Sequence, residues 1–288
     1  MTAGVFVAQD LERRFGGVAR LYGEAGAARI RDAHVIVVGV GGVGSWAVEA
    51  LARSGVGRLT LIDLDHVAES NTNRQIHALE DTYGMAKVEA MRARIAAIHL
   101  GCRVLPLEAF VTPDNWLTLL AQALDAQGAH GPLAVIDACD QMAAKTVLAA
   151  WGRSAPALFI TVGAAGGKQR GEAVEIADLA DATHDPLLAQ LRQRLRKGHG
   201  APRQGRMGVP AVFSREPVSL PQTQCAAGRT DTSLNCHGLG SSVAVTATFG
   251  LCAAGWIMQA LARSGDGGGC AALMAGAGLP SQAPFTRA

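Results

Sequence analysis

The sequence predicts an α/β fold: a doubly wound, mainly parallel sheet followed by a loop-rich C-terminal portion. Three observations carry this. Short β-branched runs alternate with stretches of helical apolar spacing from residue 34 to about 165. A glycine-rich turn joins the first strand of that series to its first helix. Finally, 288 residues with 49% hydrophobic and only 17% charged side chains, at mean hydropathy +0.19, carry enough apolar surface to build a large core. That balance excludes a disordered, collagen-like or coiled-coil chain.

Taken in order, residues 34–39 (His-Val-Ile-Val-Val-Gly) form the first strand, and apolar residues at helical spacing over 45–54 form the helix after it. Residues 58–63 (Arg-Leu-Thr-Leu-Ile-Asp) are the second strand and close a βαβ unit, which is parallel and right-handed. The polar run 69–75 is a loop, Met85–Ile98 a helix and 102–107 a strand. Thr112-Pro-Asp-Asn115 carries helix-start signals before residues 116–126. Residues 133–137 and 157–162 are two further strands, separated by a helix from Asp140 to about Trp151. Beyond the glycine turn at 163–167 the alternation stops. Residues 184–236, richer in polar residues, proline and glycine, predict long loops or a mobile lid, where substrate choice would lie. Residues 238–262 hold 25 positions without a formal charge, enough to raise a membrane-spanning reading; their hydroxyls, Gln259 and four glycines favour a helix buried in the core or at a dimer seam. Residues 264–288, rich in Gly, Ala, Ser and Pro, predict a flexible tail.

Lys and Arg number 26 against 24 Asp and Glu, so a net charge of +2 cannot make the whole surface a polyanion attractant. A local patch can. Residues 186–215 contain seven cations (Arg192, Arg194, Arg196, Lys197, Arg203, Arg206 and Arg215) and no Asp or Glu, which suits phosphate contacts or a solvated basic helix end. Six cysteines without a CxxC pair point to a reducing cytosol and away from a disulfide scaffold or a structural zinc site. The N-terminal residues lack a secretory apolar run, which agrees with a cytoplasmic protein.

Gly39-Val40-Gly41-Gly42-Val43-Gly44 fits G-x-G-x-x-G directly between a strand and a helix, the setting in which bare amides and a helix N-terminus cradle phosphate. Asp63, nineteen residues past Gly44 at the end of the second strand, is placed to accept from a ribose diol, or else to shape a turn. To this point a dinucleotide enzyme and an ATP-using enzyme are equally served. Arg74 and Lys87, on segments after the second strand, suit a leaving pyrophosphate, and Asp140, three residues past Asp137, suits Mg2+. Their alternatives are solvated surface cations and a helix N-cap.

Gly39-x-Gly-Gly-x-Gly44, Leu61-Ile-Asp63-Leu-Asp65, Ser70-Asn71-Thr-Asn-Arg74-Gln, Gly84-x-x-Lys87 and Asp137-x-x-Asp140 together resemble the Rossmann-like adenylation domain of the ubiquitin-activating and molybdopterin-synthase-activating superfamily. Within it, the runs Arg14 to Gly23, Asn73 to Leu79, Phe110 to Asn115, Asp185-Pro-Leu and Thr246 to Gly250 are similar to the bacterial tRNA threonylcarbamoyladenosine dehydratases, over roughly residues 10–262. The resemblance implies a single adenylation domain over 10–262, with a nucleotide-binding core at 34–165 and a substrate and dimer region at 166–262. It implies ATP-dependent cyclising dehydration of the modified adenosine beside the anticodon of tRNA, through an acyl adenylate. It further implies that Gly39, Gly41, Gly42, Gly44, Asp63, Asp65 and Asn71 hold ATP, with Arg74 and Lys87 on its phosphates and Asp140 on Mg2+. Arg20, or alternatively Arg14, would reach the neighbouring site of a homodimer. Adenylation of the C-terminal carboxylate of a ubiquitin-like sulfur carrier is the alternative. Cys236, before His237-Gly, and Cys225 are read as packing thiols; a sulfur relay or docking with a sulfur-acceptor protein of a cysteine desulfurase is their other reading. His77 reads as a packing or capping residue, with substrate contact as its alternative.

Overall fold

The computed structural model describes residues 10–128, 130–219 and 239–264. They form a seven-stranded sheet in the order β3-β2-β1-β4-β5-β7-β6. The strands are β1 (His34–Val38), β2 (Arg58–Ile62), β3 (Arg103–Leu107), β4 (Leu133–Asp137), β5 (Leu158–Val162), β6 (Val174–Asp178) and β7 (Pro210–Ser214). All pairings are parallel except that of β6 with β7. The five predicted strands are thus the parallel body of the sheet.

Alternation along the central strands divides the core into two layers, as expected for a sheet buried on both faces. Val35 and Val37 of β1 pack on one side with α1 (Leu11–Asp32), α2 (Gly44–Arg53), α3 (Lys87–Ile98) and α7 (Val243–Arg263). Ile36 and Val38 pack on the other with α4 (Trp116–Gln127), α5 (Met142–Gly152) and α6 (Pro186–Gly198). The chargeless stretch is α7. It buries Phe249, Ala253, Trp256, Ile257 and Leu261 against α1, α2 and the sheet, while Val243 and Leu251 stay exposed.

Two expectations need correction, and one element is new. Residues 184–236 read as loops by composition, yet 186–198 are a helix and 210–214 a strand inserted between β5 and β6. The start of α6 is legible: Asp185 accepts from the Leu188 amide at 2.9 Å and Pro186 occupies the first turn, a strong N-terminal signal. The first long helix is an addition; it consists of two pieces meeting at Gly23, whose φ of 74° breaks the helical path. The third helix starts at Lys87 rather than Met85, because Gly84 turns at φ +85° and Ala86 bridges to His66. The predicted tail beyond Ser264 lies outside the described residues.

His34 and His77 are almost fully buried. Burial first, then Arg58 and Arg103, pushes His34 down to about 4; burial, then Lys87 and Arg94, does the same to His77. A histidine held below its ordinary 6.5 is neutral when folded, so its contribution is complete above pH 6.5 and is lost as pH falls toward 4. Each can cost up to about 3 kcal/mol across that window. The thermal midpoint is therefore expected to fall between pH 6.5 and 4, and His34→Gln should flatten that fall; an unaltered pH profile in the variant would contradict the assignment.

Candidate functional site

The sheet order reverses between β1 and β4, and ligands of open α/β sheets bind at the carboxyl ends of the strands on either side of such a reversal. There β1 runs into the glycine turn. Gly39 has φ +85°, and a Cβ on it would lie 2.8 Å from the Ala138 carbonyl oxygen; a Cβ on Gly44 would lie 1.8 Å from the Gly39 oxygen. Only glycine lets the turn fold this tightly against the β4 tip. No side chain caps α2, so its first turn presents its amide end at the rim.

Arg74 and Gln75 lie over this turn. A Cβ on Gly42 would meet the Arg74 stem at 3.2 Å, and Gly41 is open except for Gln75 Nε2 at 3.9 Å. Trp46 Nε1 donates to the Arg74 carbonyl at 2.9 Å, and the Arg74 guanidinium donates to the Ser70 carbonyl (2.8 Å) and Asn73 Oδ1 (2.9 Å). Asn71 is buried, its Oδ1 accepting from the Ala68 amide at 3.1 Å, so it shapes the loop that carries Arg74.

Asp63 is buried at the end of β2. Its Oδ2 accepts from the Val40 amide at 2.6 Å and its Oδ1 from the Asp65 amide at 2.9 Å, tying the glycine turn to the second strand. Burial pushes the pKa of its carboxyl above the ordinary value, against the pull of Lys87 and the two amides. The turn-forming role and the rim position thus belong to the same carboxylate. Lys87, buried at the start of α3, donates to Asp65 Oδ2 at 2.7 Å, and the Asp65 side chain is 54% exposed.

Asp140 stands exposed on the loop between β4 and α5 and makes no hydrogen bond or ion pair to a described residue. The helix N-cap is Gln141, so Asp140 is not held by capping. Below it lies a cluster that sequence reasoning missed. Lys145 is fully buried and donates to Asp137 Oδ2 (2.8 Å), Thr161 Oγ1 (3.1 Å) and the Val162 carbonyl (2.9 Å). Asp137 Oδ1 accepts from the Cys139 amide (3.3 Å) and thiol (3.0 Å), which fixes the loop one residue before Asp140. Burial and the Asp137 charge push the Cys139 thiol well up, so this sulfur packs and donates and is no thiolate nucleophile.

The structure therefore brings Gly39 to Gly44, Asp63, Asp65, Asn71, Arg74, Lys87 and Asp140 to one rim. Arg20 is not among them within one chain. It is exposed on α1, its guanidinium folded over Gly16 and Gly17, and neighbouring Phe15 packs on His99 past the far end of α3. Arg14 donates to the Ile98 carbonyl at 3.0 Å. His77 is buried, and neither of its ring nitrogens bonds to a described residue. Cys225 and Cys236 lie outside the described residues. Among the described residues no group of three or more His, Cys, Asp or Glu side chains could enclose a metal. Of the seven cations over 186–215, Arg192 donates to the Leu179 and Ala182 carbonyls, Arg196 to that of Pro202, and Arg215 pairs with Glu175; Arg194, Lys197 and Arg203 are exposed.

The chain is 45% identical over 258 residues to the tRNA threonylcarbamoyladenosine dehydratase of Escherichia coli, covering 86% of this chain and 93% of that protein. It is 40% identical over 257 residues to the dehydratase of the same name from Haemophilus influenzae, covering 88% and 95%. The crystal structure of the E. coli tRNA N6-threonylcarbamoyladenosine dehydratase in complex with ATP superposes with a TM-score of 0.78 at 40% identity, over 91% of this chain and 99% of that one. Residues 15–274 match the ThiF family, and this chain belongs to it.

Proposed function

We propose that this protein catalyses the ATP-dependent cyclising dehydration of threonylcarbamoyladenosine in tRNA, beside the anticodon, through an acyl adenylate. One observation carries the reading: a glycine turn, an uncapped helix N-terminus, two cations and an exposed carboxylate share the rim between β1 and β4, in a chain alignable almost end to end with a dehydratase solved with ATP.

The glycine turn and the amides of α2 receive the phosphates, and Asp63, anchored by the Val40 amide, faces the ribose. The threonine carboxylate of the substrate attacks the α-phosphorus; the bond to the bridging oxygen breaks and pyrophosphate leaves. Arg74 and Lys87 neutralise the charge gathering on it, once their ties to Ser70, Asn73 and Asp65 open or are shared. An atom of the ureido group then attacks the activated carbonyl and loses its proton; AMP leaves and the ring closes. The net change is loss of one water, driven by cleavage of ATP. No protein nucleophile takes part, in keeping with a raised Cys139 thiol. Asp140 suits Mg2+, which takes one or two carboxylates and keeps phosphate oxygens and water as its other ligands; such an ion supplies charge neutralisation on the triphosphate. Arg20, distant from its own rim, serves the neighbouring site of a homodimer in this reading. The setting is the cytosol, where tRNA is modified.

The test is to incubate the enzyme with ATP and tRNA bearing threonylcarbamoyladenosine. The expected result is one AMP and one pyrophosphate per nucleoside that loses water. AMP release that requires a ubiquitin-like carrier protein and leaves the nucleoside mass unaltered would replace the reading with carrier adenylation. The exposed cations also have an expected effect: replacing Arg194, Lys197 and Arg203 by Ala lowers the slope of log affinity for tRNA against log salt by about one unit for each phosphate no longer neutralised. Arg192 and Arg196 are left intact there because their guanidinium groups satisfy carbonyls of this chain. An unchanged slope would return these residues to the solvated surface.

A further inference from the structure

A cavity of about 400 Å³ opens beside the start of α6, walled by His184, Pro186, Ala189, Arg192 and Pro217 with Thr183 at its edge. Its position relates it to the site above. Asp185, buried in its floor, accepts from the amide of Ala164 at 2.8 Å, two residues past the end of β5, and β5 is the direct neighbour of β4, whose tip carries Asp140. The cavity therefore lies toward the same rim, on its β7 side: Arg215, one residue past the end of β7, donates to Thr183 at the cavity edge.

The walls are fixed by an arrangement that packing alone does not require. His184 has φ 57°, and among the described residues no other non-glycine residue has a positive φ. Such a conformation is costly unless its surroundings impose it, and it is most often kept at ligand sites. Here the imposing group is Lys168, itself buried, which donates to the carbonyls of His184 (2.8 Å), Ser214 (3.2 Å) and Glu216. One ammonium thus clamps the His184 turn to the segment that brings Pro217. The same segment is pinned a second time where the Ser219 amide donates to the carbonyl of Gly167, the residue before Lys168, at 2.8 Å. The outcome is an exposed imidazole and two proline rings around an apolar space, with the Arg192 guanidinium held against the Leu179 and Ala182 carbonyls.

The surrounding charge states the chemistry of the occupant. Arg215, whose charge is paired with Glu175, donates to Thr183 Oγ1 at 3.2 Å at the edge of the cavity, and the free positive charge comes from α6, which runs away from it carrying exposed Arg194 and Lys197. Asp185 turns inward to the Ala164 and Leu188 amides, while Asp181 is exposed nearby. A flat apolar group attached to a polyanion fits this surface: a base of single-stranded RNA, splayed out of its stack, with phosphates following the helix.

We propose that this cavity is the nucleobase subsite of the RNA substrate, holding the unstacked modified adenine against His184 so that its side arm reaches along the rim toward Asp140. The proposal rests on the dehydratase reading. Two variants test it. Ala189→Leu places bulk in the cavity from an exposed helical position, and His184→Gly removes the ring while suiting a positive φ. Each is expected to raise KM for the modified tRNA about tenfold, the scale of one missing base stack, with KM for ATP within about twofold and the salt slope of tRNA binding unchanged. If wild-type enzyme dehydrates the tRNA and both variants match it in KM, the cavity assignment is lost alone. A rise in KM for ATP without one for tRNA also overturns it, by giving the cavity to the nucleotide, and a reduced salt slope overturns it by making these positions phosphate contacts. Failure of the wild-type enzyme to dehydrate the tRNA removes the reaction and the subsite together.

Discussion

Asp140→Ala is expected to lower turnover by at least about a hundredfold while leaving the thermal midpoint within about 1 °C of wild type. The two halves of this expectation have separate causes. The carboxylate is exposed, caps no helix and makes no bond to a described residue, so removing it costs the fold nothing that the structure records. In the proposed reaction it is the exposed carboxylate at the β4 tip that would hold a hydrated divalent ion facing the triphosphate, and charge neutralised during transfer is where such a group would act. ATP affinity should fall far less than turnover, because the glycine turn and Arg74 remain. The measurements are single-turnover AMP formation across a Mg2+ titration and calorimetric unfolding. Wild-type turnover in the variant would remove Asp140 from the chemistry; a large drop in the midpoint would show that it supports the loop after all.

Lys145→Met should show the opposite pattern, with stability lost first. Lys145 and Asp137 are both fully buried, and the substitution leaves the carboxylate with Thr161 and Cys139 but no counter-charge. Stripping one partner from a buried ion pair costs about 3–5 kcal/mol, which for a chain of this size lowers the midpoint by roughly 10 °C. Combining Lys145→Met with Asp137→Asn should recover part of that loss, since no uncompensated charge remains. A single variant as stable as wild type, or a double variant no better than the single one, would contradict the buried-pair account.

How much of this could be read along the chain differs element by element. β1, β2, β4 and β5 are legible because a strand covered on both faces must be apolar throughout, and runs such as 35–38 and 134–136 have no other use. The glycine turn is legible because three glycines at that spacing between a strand and a helix answer a steric demand, and the clashes a Cβ would make at Gly39 and Gly44 show that demand. Arg74, Lys87, Asp63 and Asp140 are legible as a set because their segments all follow strands that end on one rim. What escaped is of another kind. β7 is only five residues long and lies next to β5 although α6 and β6 intervene in sequence, so no local pattern announces its place. Lys145 pairs with Asp137 from eight residues away across a strand-to-helix turn, and Lys168 reaches three carbonyls up to 48 residues distant. Neither spacing belongs to a periodic element. The basic run 186–215 is legible as composition, but which of its guanidinium groups face solvent is not, because hydrogen bonds to distant carbonyls decide that.

Local patterning by itself determined the parallel body of the sheet, the glycine turn and the residue types at its rim, since short-range sterics and solvent exclusion act on neighbours in the chain. Only the folded molecule decided that Asp63 anchors the glycine turn, that a buried lysine holds the β4 tip, that Arg20 lies away from its own rim and that a cavity opens at His184. Each of those depends on groups that become neighbours only when strands distant in sequence are laid side by side.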